Sequence, residues 1–289
     1  MYNTRPSCRQ ATAVTHTILL SMCLHKQVVT INLSDLDIGN KRLGKGGFGD
    51  VYKGNWKKGG GMTVAVKVTR PGDTATIPHE IKVWALLPQH QNIIALIGVA
   101  IGKHVNYIVT ELAINGSLFD YLHIKKKTPS VEQSLSWASD IAHGMQHLHH
   151  HDIIHRDLKS ANVLLTKVWV AKLCDFGTAR EATHTTTTEQ AGTYRWMSPE
   201  VMRTAVAKIN KKCDLFSYGM IIVELFAHEI PYADLHDNIE VLLSVLSGKR
   251  PPIPPALPPY LHDLIKKCWE EDPYLRPSFD DFISKFKTK

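Results

Sequence analysis

The sequence predicts an α+β fold, with strands in the first part of the chain and helices in most of the remainder. Alternating apolar and polar residues predict strands over 62–68 and 107–110. Apolar residues that recur every three or four positions predict helices over 131–148 and 279–286. Because the pattern changes near residues 111–113, we expect a small β-rich lobe before them and a larger, mostly helical lobe after them.

Three shorter segments support this division. The run 57–61 is rich in lysine and glycine and predicts a turn between the first strands. Ile77, Ile81 and Trp84 have helical spacing and predict a short helix in the β-rich part. The segment 217–226 is apolar on nearly all sides, which is typical of a helix buried in a core.

The composition limits the classes of protein to consider. With 289 residues, 44% of them hydrophobic, the chain is long enough for one large domain or two lobes with a substantial core. Its five cysteines have no C-x-x-C spacing, which argues against a disulfide framework or a zinc site and predicts the cytoplasm or the nucleus. No apolar run approaches the roughly 20 residues of a membrane helix, so we expect no membrane span.

Residues 1–34 differ in charge from the rest of the chain. They contain Arg5, Arg9 and Lys26 and no acidic residue, so they carry +3 of the formal net charge of +7. The remaining 31 basic and 27 acidic residues leave only +4, and no arginine-rich stretch suggests nucleic-acid binding. We interpret residues 1–34 as a flexible N-terminal extension, with a mitochondrial transit peptide as the alternative.

Two short motifs in the later part of the chain carry the chemistry. Residues 155–162 read HRDLKSAN, and residues 175–177 read DFG. Phosphoryl transfer spreads charge over the phosphate oxygens, so it needs metal ligands, a cation and a carboxylate near the attacking hydroxyl. The groups that meet this need are Asp157, Lys159, Asn162 and Asp175.

Two earlier segments complete the pattern. Residues 43–51 have the spacing G-x-G-x-x-G-x-V, and residues 64–67, with the sequence VAVK, follow on an alternating apolar run. With these motifs in this order, the chain resembles the eukaryotic protein kinases over about residues 35–288.

The resemblance implies a bilobal protein kinase fold over residues 35–289. The N-lobe, 35–110, would hold a small antiparallel β-sheet and one main helix. A hinge would follow at 111–113, and the C-lobe, 114–289, would be mostly α-helical.

The resemblance also implies an ATP site. Lys67 would contact the α and β phosphates, and Glu80 is the acid best placed to pair with it. Val51 and Ala65 would supply apolar surface against the purine, the glycines would let backbone amides approach the phosphates, and Thr110 would be the gatekeeper. The implied nucleotide-binding residues are Leu43, Gly44, Lys45, Gly46, Gly47, Phe48, Gly49, Val51, Ala65, Lys67, Thr110, Glu111, Ala113 and Leu164.

The later motifs would carry out the transfer. Asp157 would orient the attacking hydroxyl and accept its proton, and Lys159 would neutralise charge on the γ phosphate. Asn162 and Asp175 would hold Mg²⁺, or Mn²⁺ in its place, through hard oxygen atoms. A lysine at position 159 resembles the serine/threonine kinases rather than the tyrosine kinases.

The segment 175–200 resembles a kinase activation segment. It contains a cluster of threonines, and Arg156 precedes the catalytic Asp157, where it would pair with a phosphothreonine. We therefore predict switching by phosphorylation, either by an upstream kinase or by autophosphorylation in trans; a flexible polar loop is the alternative. The threonines are Thr183, Thr185, Thr186, Thr187 and Thr188.

Three residues of the C-lobe are expected to be structural. Glu200 would pair with Arg276, and Asp214 would anchor the backbone of the catalytic loop. Ser198 stands where the family usually has alanine.

The finer motifs resemble the tyrosine-kinase-like serine/threonine group, near the mixed-lineage and Raf relatives. They are residues 192–197, which include Thr193, together with Cys268–Trp269 and residues 34–36. The implied activity is transfer of the γ-phosphate of ATP to serine and threonine hydroxyls of proteins in intracellular signalling. The alternatives are a kinase-shaped scaffold with weak catalysis and a dual-specificity kinase; oligomeric state is left open.

Overall fold

The computed structural model describes residues 28–46, 49–69, 76–181, 194–203 and 209–287. The chain forms two compact units, the first of residues 1–89 with 94–113 and the second of residues 90–93 with 114–289. Strands dominate the described part of the first unit and helices dominate that of the second, so the α+β prediction is confirmed. Within these described residues, no helix is long and apolar enough to cross a bilayer.

A five-stranded antiparallel sheet forms the centre of the first unit, in the order β1-β2-β3-β5-β4. The predicted strands 62–68 and 107–110 lie within β3 and β5, and the predicted turn 57–61 joins β2 to β3. Gly60 and Gly61 both have φ near +72° in this turn, a backbone conformation that glycine adopts without steric cost. The strands are β1 (Leu36–Gly46), β2 (Gly49–Trp56), β3 (Met62–Thr69), β4 (Leu96–Ile101) and β5 (Asn106–Glu111).

One buried cluster of this unit lies on one face of the sheet. Val64 and Val66 of β3 are fully buried and pack with Leu36, Ala100 and Val109. Because successive side chains of a strand point to opposite faces, Val64 and Val66 lie on one side of β3, and Ala65 and Lys67 lie on the other.

Residues 28–34 differ from the flexible extension expected up to residue 34. The Ile31 amide donates to the Val99 carbonyl at 2.7 Å, and the Val99 amide donates to Val29 at 2.9 Å. Ile31 is buried and belongs to the core cluster. The physical reason is that β4 lies at the edge of the sheet, where unpaired backbone groups need partners.

One α-helix, α1 (Thr76–Leu86), lies in the described part of the first unit. Ile81 and Trp84 of α1 are buried, and Trp84 Nε1 donates to the Ile94 carbonyl at 2.8 Å. The short helix predicted from Ile77, Ile81 and Trp84 is therefore present.

The second unit is built around α4, whose side chains are almost all buried, as the apolar segment 217–226 predicted. Tyr218 of α4 donates its hydroxyl to the Ala138 carbonyl at 2.9 Å and packs edge-on against Phe279 and Phe282. These contacts hold α2 and α7 against α4. The helices are α2 (Val131–His150), α3 (Pro199–Arg203), α4 (Lys212–Ala227), α5 (Asn238–Leu246), α6 (Pro259–Cys268) and α7 (Phe279–Lys287), with a π-helical turn at Asp120–Ile124.

Two short antiparallel strand pairs complete the second unit. β6 (Ile153–Ile154) pairs with β9 (Arg180–Glu181), and β7 (Val163–Leu165) pairs with β8 (Ala171–Leu173). The second pair matters most, because one of its ends carries both expected metal ligands.

Candidate active site

The first unit carries an ion pair between Lys67 of β3 and Glu80 of α1. Lys67 Nζ donates to Glu80 Oε1 at 2.9 Å and to Oε2 at 2.8 Å. Glu80 is buried, and a buried carboxylate is stable only when it is paired. The predicted pairing of these two residues is therefore present, and it fixes the direction of the lysine side chain.

The register of the sheet brings the expected purine and phosphate residues of the first unit to one face. Val51 lies opposite Lys67, and Ala65 lies opposite Thr110. Since Ala65 and Lys67 are two positions apart on β3, all four side chains share the face that points away from Val64 and Val66. This face carries a lysine of fixed direction beside small and apolar residues.

The glycine-rich segment spans the turn from β1 to β2. Gly49 has φ of +154°, and a Cβ there would meet the Val68 carbonyl oxygen at 2.3 Å, so only glycine fits. A Cβ at Gly44, in contrast, would meet no described atom within 4 Å. Packing within the described part of this unit does not require glycine at 44, which suits a backbone that must approach a ligand closely. Gly47 and Phe48 lie outside the described residues, and Lys45 and Gly46 are described only in their backbone.

The expected hinge, residues 111–113, begins at the last residue of β5. Thr110 Oγ1 donates to the Glu111 carbonyl at 3.2 Å, and Glu111 Oε1 accepts from the Ala95 amide at 2.7 Å. The carboxylate of Glu111 thus satisfies the backbone amide of Ala95. Ala113, two residues further along the chain, is buried. Leu43 is exposed on β1, and Leu164 of the second unit is partly buried on β7.

In the second unit, the Asp157 carboxylate is fixed through one of its oxygens. Lys159 Nζ donates to Asp157 Oδ2 at 2.7 Å, and Asn162 Nδ2 donates to the same oxygen at 3.0 Å and to the Asp157 carbonyl at 2.8 Å. Asp157 Oδ1 is buried and accepts no hydrogen bond from the residues that the structure describes. The carboxylate is therefore held firmly while its second oxygen stays available as an acceptor.

The backbone before Asp157 is anchored by Asp214 of α4, as predicted. The His155 amide donates to Asp214 Oδ2 and the Arg156 amide to Oδ1, both at 2.9 Å. His149 Nε2 donates to Oδ2 at 2.9 Å. Burial by itself raises the pKa of Asp214, but the hydrogen bond from His149, the charges of His149 and His155 and the Arg156 amide outweigh burial and hold that pKa below its usual value.

The anchored backbone is strained. Arg156 has φ of +68°, which is unfavourable for a side chain with a Cβ and persists only where the surroundings enforce it. Asp214 is the residue that enforces it here, since it accepts the Arg156 amide. His155 packs inside the unit, fully buried against Phe176, as the sequence led us to expect of a residue entering this loop.

The strand pair β7–β8 sets the positions of Asn162 and Asp175. Val163 pairs with Leu173, so the residues just before β7 and just after β8 lie at the same end. The Cys174 amide donates to the Asn162 carbonyl at 3.0 Å, and Asp175 follows with φ of +64°.

These two residues suit a hard divalent cation. Both partners of Asn162 Nδ2 on Asp157 are acceptors, so the nitrogen must face them, and the amide oxygen takes part in neither bond. An amide oxygen and a carboxylate are the ligand types that Mg²⁺ and Mn²⁺ prefer.

A buried acid that the sequence reasoning missed joins three parts of the second unit. Glu224 of α4 is fully buried; its Oε1 accepts from the Ser160 hydroxyl at 2.5 Å and bonds His123 Nε2 at 2.8 Å. Its Oε2 accepts from Trp196 Nε1 at 2.8 Å. The available signal was that Glu224 is the single acid in the apolar segment 217–226, where a charge is stable only with buried partners.

A second buried ion pair holds residues 194–203, the described segment that follows residue 193. Arg276, whose side chain is fully buried, donates from Nη1 and Nη2 to the two carboxylate oxygens of Glu200 at 2.7 and 2.8 Å. The predicted pairing is therefore present. The hydroxyl of Ser198, where the family usually has alanine, is buried and has no hydrogen-bond partner among the described residues. The predicted phosphorylation cluster 183–188 and Thr193 lie outside the described residues.

The family of the chain follows from comparison with known proteins. The family model described as protein tyrosine and serine/threonine kinase matches residues 38–286. The chain belongs to this protein kinase family. The prediction of a kinase domain of the tyrosine-kinase-like serine/threonine type is thereby confirmed. Membership of this family implies the use of ATP, a divalent metal ion and protein substrates.

Similar proteins carry related names. Serine/threonine-protein kinase STY17 of Arabidopsis thaliana is 35% identical over 259 residues, which cover 88% of this chain and 44% of that protein. RGS domain-containing serine/threonine-protein kinase A of Dictyostelium discoideum is 37% identical over 259 residues, covering 88% of this chain and 22% of that protein. Mitogen-activated protein kinase kinase kinase zak-1 of Caenorhabditis elegans is 36% identical over 259 residues, which cover 84% of this chain and 34% of that protein. The chain thus spans less than half the length of these relatives.

Proposed function

We propose that this chain transfers the γ-phosphate of Mg-ATP to serine and threonine hydroxyls of proteins. The observation that carries the proposal is the Asp157 carboxylate, whose Oδ2 is held by Lys159 and Asn162 while Oδ1 is buried without a described partner. A carboxylate held in this way accepts a hydrogen bond from an attacking hydroxyl without reorganising. The serine/threonine kinase names of the relatives and the lysine at 159 support the choice of hydroxyl.

The first unit would bind the nucleotide. Lys67, directed by Glu80, would contact the α and β phosphates, and the backbone around Gly44 would approach them closely. The face shared by Val51, Ala65 and Thr110 would receive the purine. The remaining proposed contacts come from the glycine-rich turn, the hinge and β7, namely Leu43, Lys45, Gly46, Gly47, Phe48, Gly49, Glu111, Ala113 and Leu164.

The second unit would hold the cation and the substrate hydroxyl. We propose that Asn162 and Asp175 bind Mg²⁺, with Mn²⁺ as the substitute, through the oxygens described above. The ion, when bound, neutralises charge on the phosphates. Lys159 would keep Asp157 in position and add positive charge near the transferred group, and Asp157 would take the hydroxyl proton.

We propose that phosphorylation within 183–188 raises activity, through an upstream kinase or in trans. Support comes from Arg156, whose backbone Asp214 fixes immediately before Asp157, so a phosphate on this cation would add charge-assisted hydrogen bonds next to the catalytic loop. We also propose a kinase domain over residues 35–289 that works in the cytoplasm or the nucleus, a reducing setting that agrees with the free thiols of Cys174, Cys213 and Cys268.

The test is phosphate transfer from labelled ATP to generic Ser, Thr and Tyr peptides, with Mg²⁺ or Mn²⁺, for the wild type and Asp157→Asn. We expect label on Ser and Thr peptides, and a loss of about 10²-fold to 10⁴-fold in kcat for the variant, the range of a general base. Asp263→Asn, the same change at an exposed position on α6, is the control and should keep full activity.

Each other outcome has a distinct meaning. Label on Tyr peptides as well would make the chain a dual-specificity kinase. A folded protein that binds ATP but labels no peptide and not itself would overturn the proposal in favour of a scaffold.

A further inference from the structure

A basic and apolar surface lies on the second unit, formed by residues 124–127 and 167–169. Ile124, Val168 and Trp169 expose 68%, 76% and 42% of their surface. The lysines Lys125, Lys126, Lys127 and Lys167 are all exposed beside them. We call these seven residues the 124/167 surface.

Two sets of contacts join the two segments into one surface. Lys125 Nζ donates to the Asn115 carbonyl at 2.7 Å, and Asn115 Nδ2 donates to the Thr166 carbonyl at 2.7 Å. The Lys127 amide donates to the Tyr121 carbonyl at 3.0 Å, and the Tyr121 ring meets the Trp169 ring edge-on at 5.5 Å. The lysines and the exposed indole therefore lie near each other although they are far apart in sequence.

Strained backbone presents two side chains of this surface. Lys126 has φ of +48° and Trp169 has φ of +63°. The Trp169 amide donates to the Thr166 carbonyl at 3.0 Å in a tight turn, and its own carbonyl accepts from the buried Trp137 Nε1 at 2.7 Å. Glycine or asparagine suits such a position better than tryptophan, and residues held in such conformations cluster at functional sites.

The charge of the surface selects its partner. No acidic residue lies within 124–127 or 167–169, and two acids lie close to the first segment in sequence: Asp120, whose Oδ2 accepts from the Ser117 amide at 3.2 Å, and the exposed Glu132 at the start of α2. Four lysines against these two acids leave the surface positive. Single exposed lysines are normally only solvated, but a run of three beside an exposed indole offers both charge and apolar contact.

We infer that the 124/167 surface docks an acidic protein segment that carries a bulky apolar side chain. The carboxylates of the segment pair with Lys126, Lys127 and Lys167, and its apolar side chain packs on Trp169 and Val168. A protein segment fits better than an anionic bilayer, because the apolar part consists of three side chains from two short segments rather than the long apolar face with which helices enter lipid.

Docking here is separate from phosphoryl transfer. The 124/167 surface contains none of the residues proposed to bind ATP, metal or the substrate hydroxyl. Its binding can be measured without ATP, so failure of this inference and failure of the proposed kinase activity are told apart.

The test measures fluorescence anisotropy of a labelled synthetic peptide of Asp and Glu with interspersed Leu and Phe. Two matched peptides replace either the acids by Asn and Gln or the apolar residues by Ser. We expect the first peptide to bind the wild type more tightly than both others, with affinity that falls as salt is added. A separate experiment measures the binding of the protein to phosphatidylserine vesicles.

Two variants locate the binding. Lys126→Glu with Lys127→Glu should weaken it by about tenfold or more, since two attractive contacts become repulsive. Trp169→Asn should weaken it as well. Asparagine suits the left-handed backbone, which offsets part of the ring packing lost against Tyr121 and Trp137, and the melting temperature is measured to check that the variant is folded. Lys266→Glu with Lys267→Glu, an exposed lysine pair on α6, is the control for net charge and should bind normally.

Lack of binding to the wild type up to about 1 mM peptide would overturn the inference. Equal loss in the α6 control would do so too, because the effect would then be one of net charge alone. Binding to the vesicles without binding to the peptide would assign the surface to a membrane instead.

Discussion

Replacing Asp214 with Asn removes one negative charge and one acceptor from the centre of the second unit without changing side-chain shape. Asp214 accepts from the amides of His155 and Arg156 and from His149 Nε2, each at 2.9 Å. Asparagine has a single acceptor oxygen, so its amide nitrogen must face at least one of these donors. The site has no exposure to water that would compensate.

The expected loss of stability follows from these contacts. A hydrogen bond to a charged acceptor contributes about 1.5–3 kcal/mol, and a buried donor left without an acceptor costs about 1–3 kcal/mol more. We therefore expect Asp214→Asn to lower the free energy of unfolding by about 3–5 kcal/mol, as for other broken buried charge pairs. At about 2 °C per kcal/mol for a unit of this size, the melting temperature should fall by about 6–10 °C.

The same change should lower catalysis. The strained backbone of Arg156 is held by Asp214 directly before Asp157, so the Asp157 carboxylate, the proposed catalytic base, loses its fixed position. Misplacement of a reacting group by about 1 Å costs about 10²-fold, and we expect a fall of that order in kcat with KM for ATP little changed. Scanning calorimetry and steady-state peptide phosphorylation measure the two effects.

Asp152→Asn is the matched control. Asp152 is exposed, has φ of +57°, which asparagine tolerates, and pairs with Lys211 at 2.7 Å on the surface. This variant should melt and turn over like the wild type. If Asp214→Asn also did so, the assignment of Asp214 as the anchor of the catalytic loop would be wrong.

The pH dependence of stability checks the same residue. The pKa of Asp214 in the folded protein lies below the ordinary value of 3.8, so its contribution is complete above that value and is lost as pH falls through the folded pKa. The melting temperatures of the wild type and Asp214→Asn should therefore converge as the pH is lowered below about 4. A constant difference down to the lowest pH would contradict this.

Three further predictions concern other buried groups. Glu224→Ala should lower the free energy of unfolding by about 3–5 kcal/mol and reduce kcat. Glu224→Gln should lower both stability and kcat less than Glu224→Ala does, because the Ser160 hydroxyl can accept a hydrogen bond from the glutamine amide. Equal effects of the two variants would count against a role for these hydrogen bonds. Ser198→Ala should raise the free energy of unfolding by about 1 kcal/mol, since it removes a buried hydroxyl with no described partner, and a lower urea midpoint would refute this. Burial raises the pKa of the Cys213 and Cys268 thiols, so of the three cysteines in the described part only the partly exposed Cys174 should react with iodoacetamide in the native protein, as mass spectrometry of its peptides would reveal.

The sequence alone was enough to predict features that depend on local pattern. Period-two and helical spacings predicted β3, β5, α2 and α7, because each element of this kind buries one face of its own residues. The apolar segment 217–226 predicted α4 as a helix buried on nearly all sides. The resemblance of the motifs to those of protein kinases predicted the pairs Lys67–Glu80 and Glu200–Arg276, and the structure contains both.

The network around Glu224 depends instead on contacts between distant parts of the chain. Glu224 lies 64 positions from Ser160 and 101 from His123, so no local pattern links them. The packing of residues 28–34 against β4 likewise depends on which strand lies at the sheet edge, and periodicity does not reveal strand order.

The sequence therefore determined which elements form and which residues are candidates for the chemistry, because side-chain period and residue type are local properties. Only the tertiary structure decided how the Asp157 carboxylate is held and which oxygen it leaves available. It also decided that glycine is required at position 49, because the Val68 carbonyl of β3 lies too close for a Cβ. At position 44, no described atom excludes a Cβ. The physical reason is that hydrogen-bond geometry and close packing are set by backbone segments that meet only when the chain is folded.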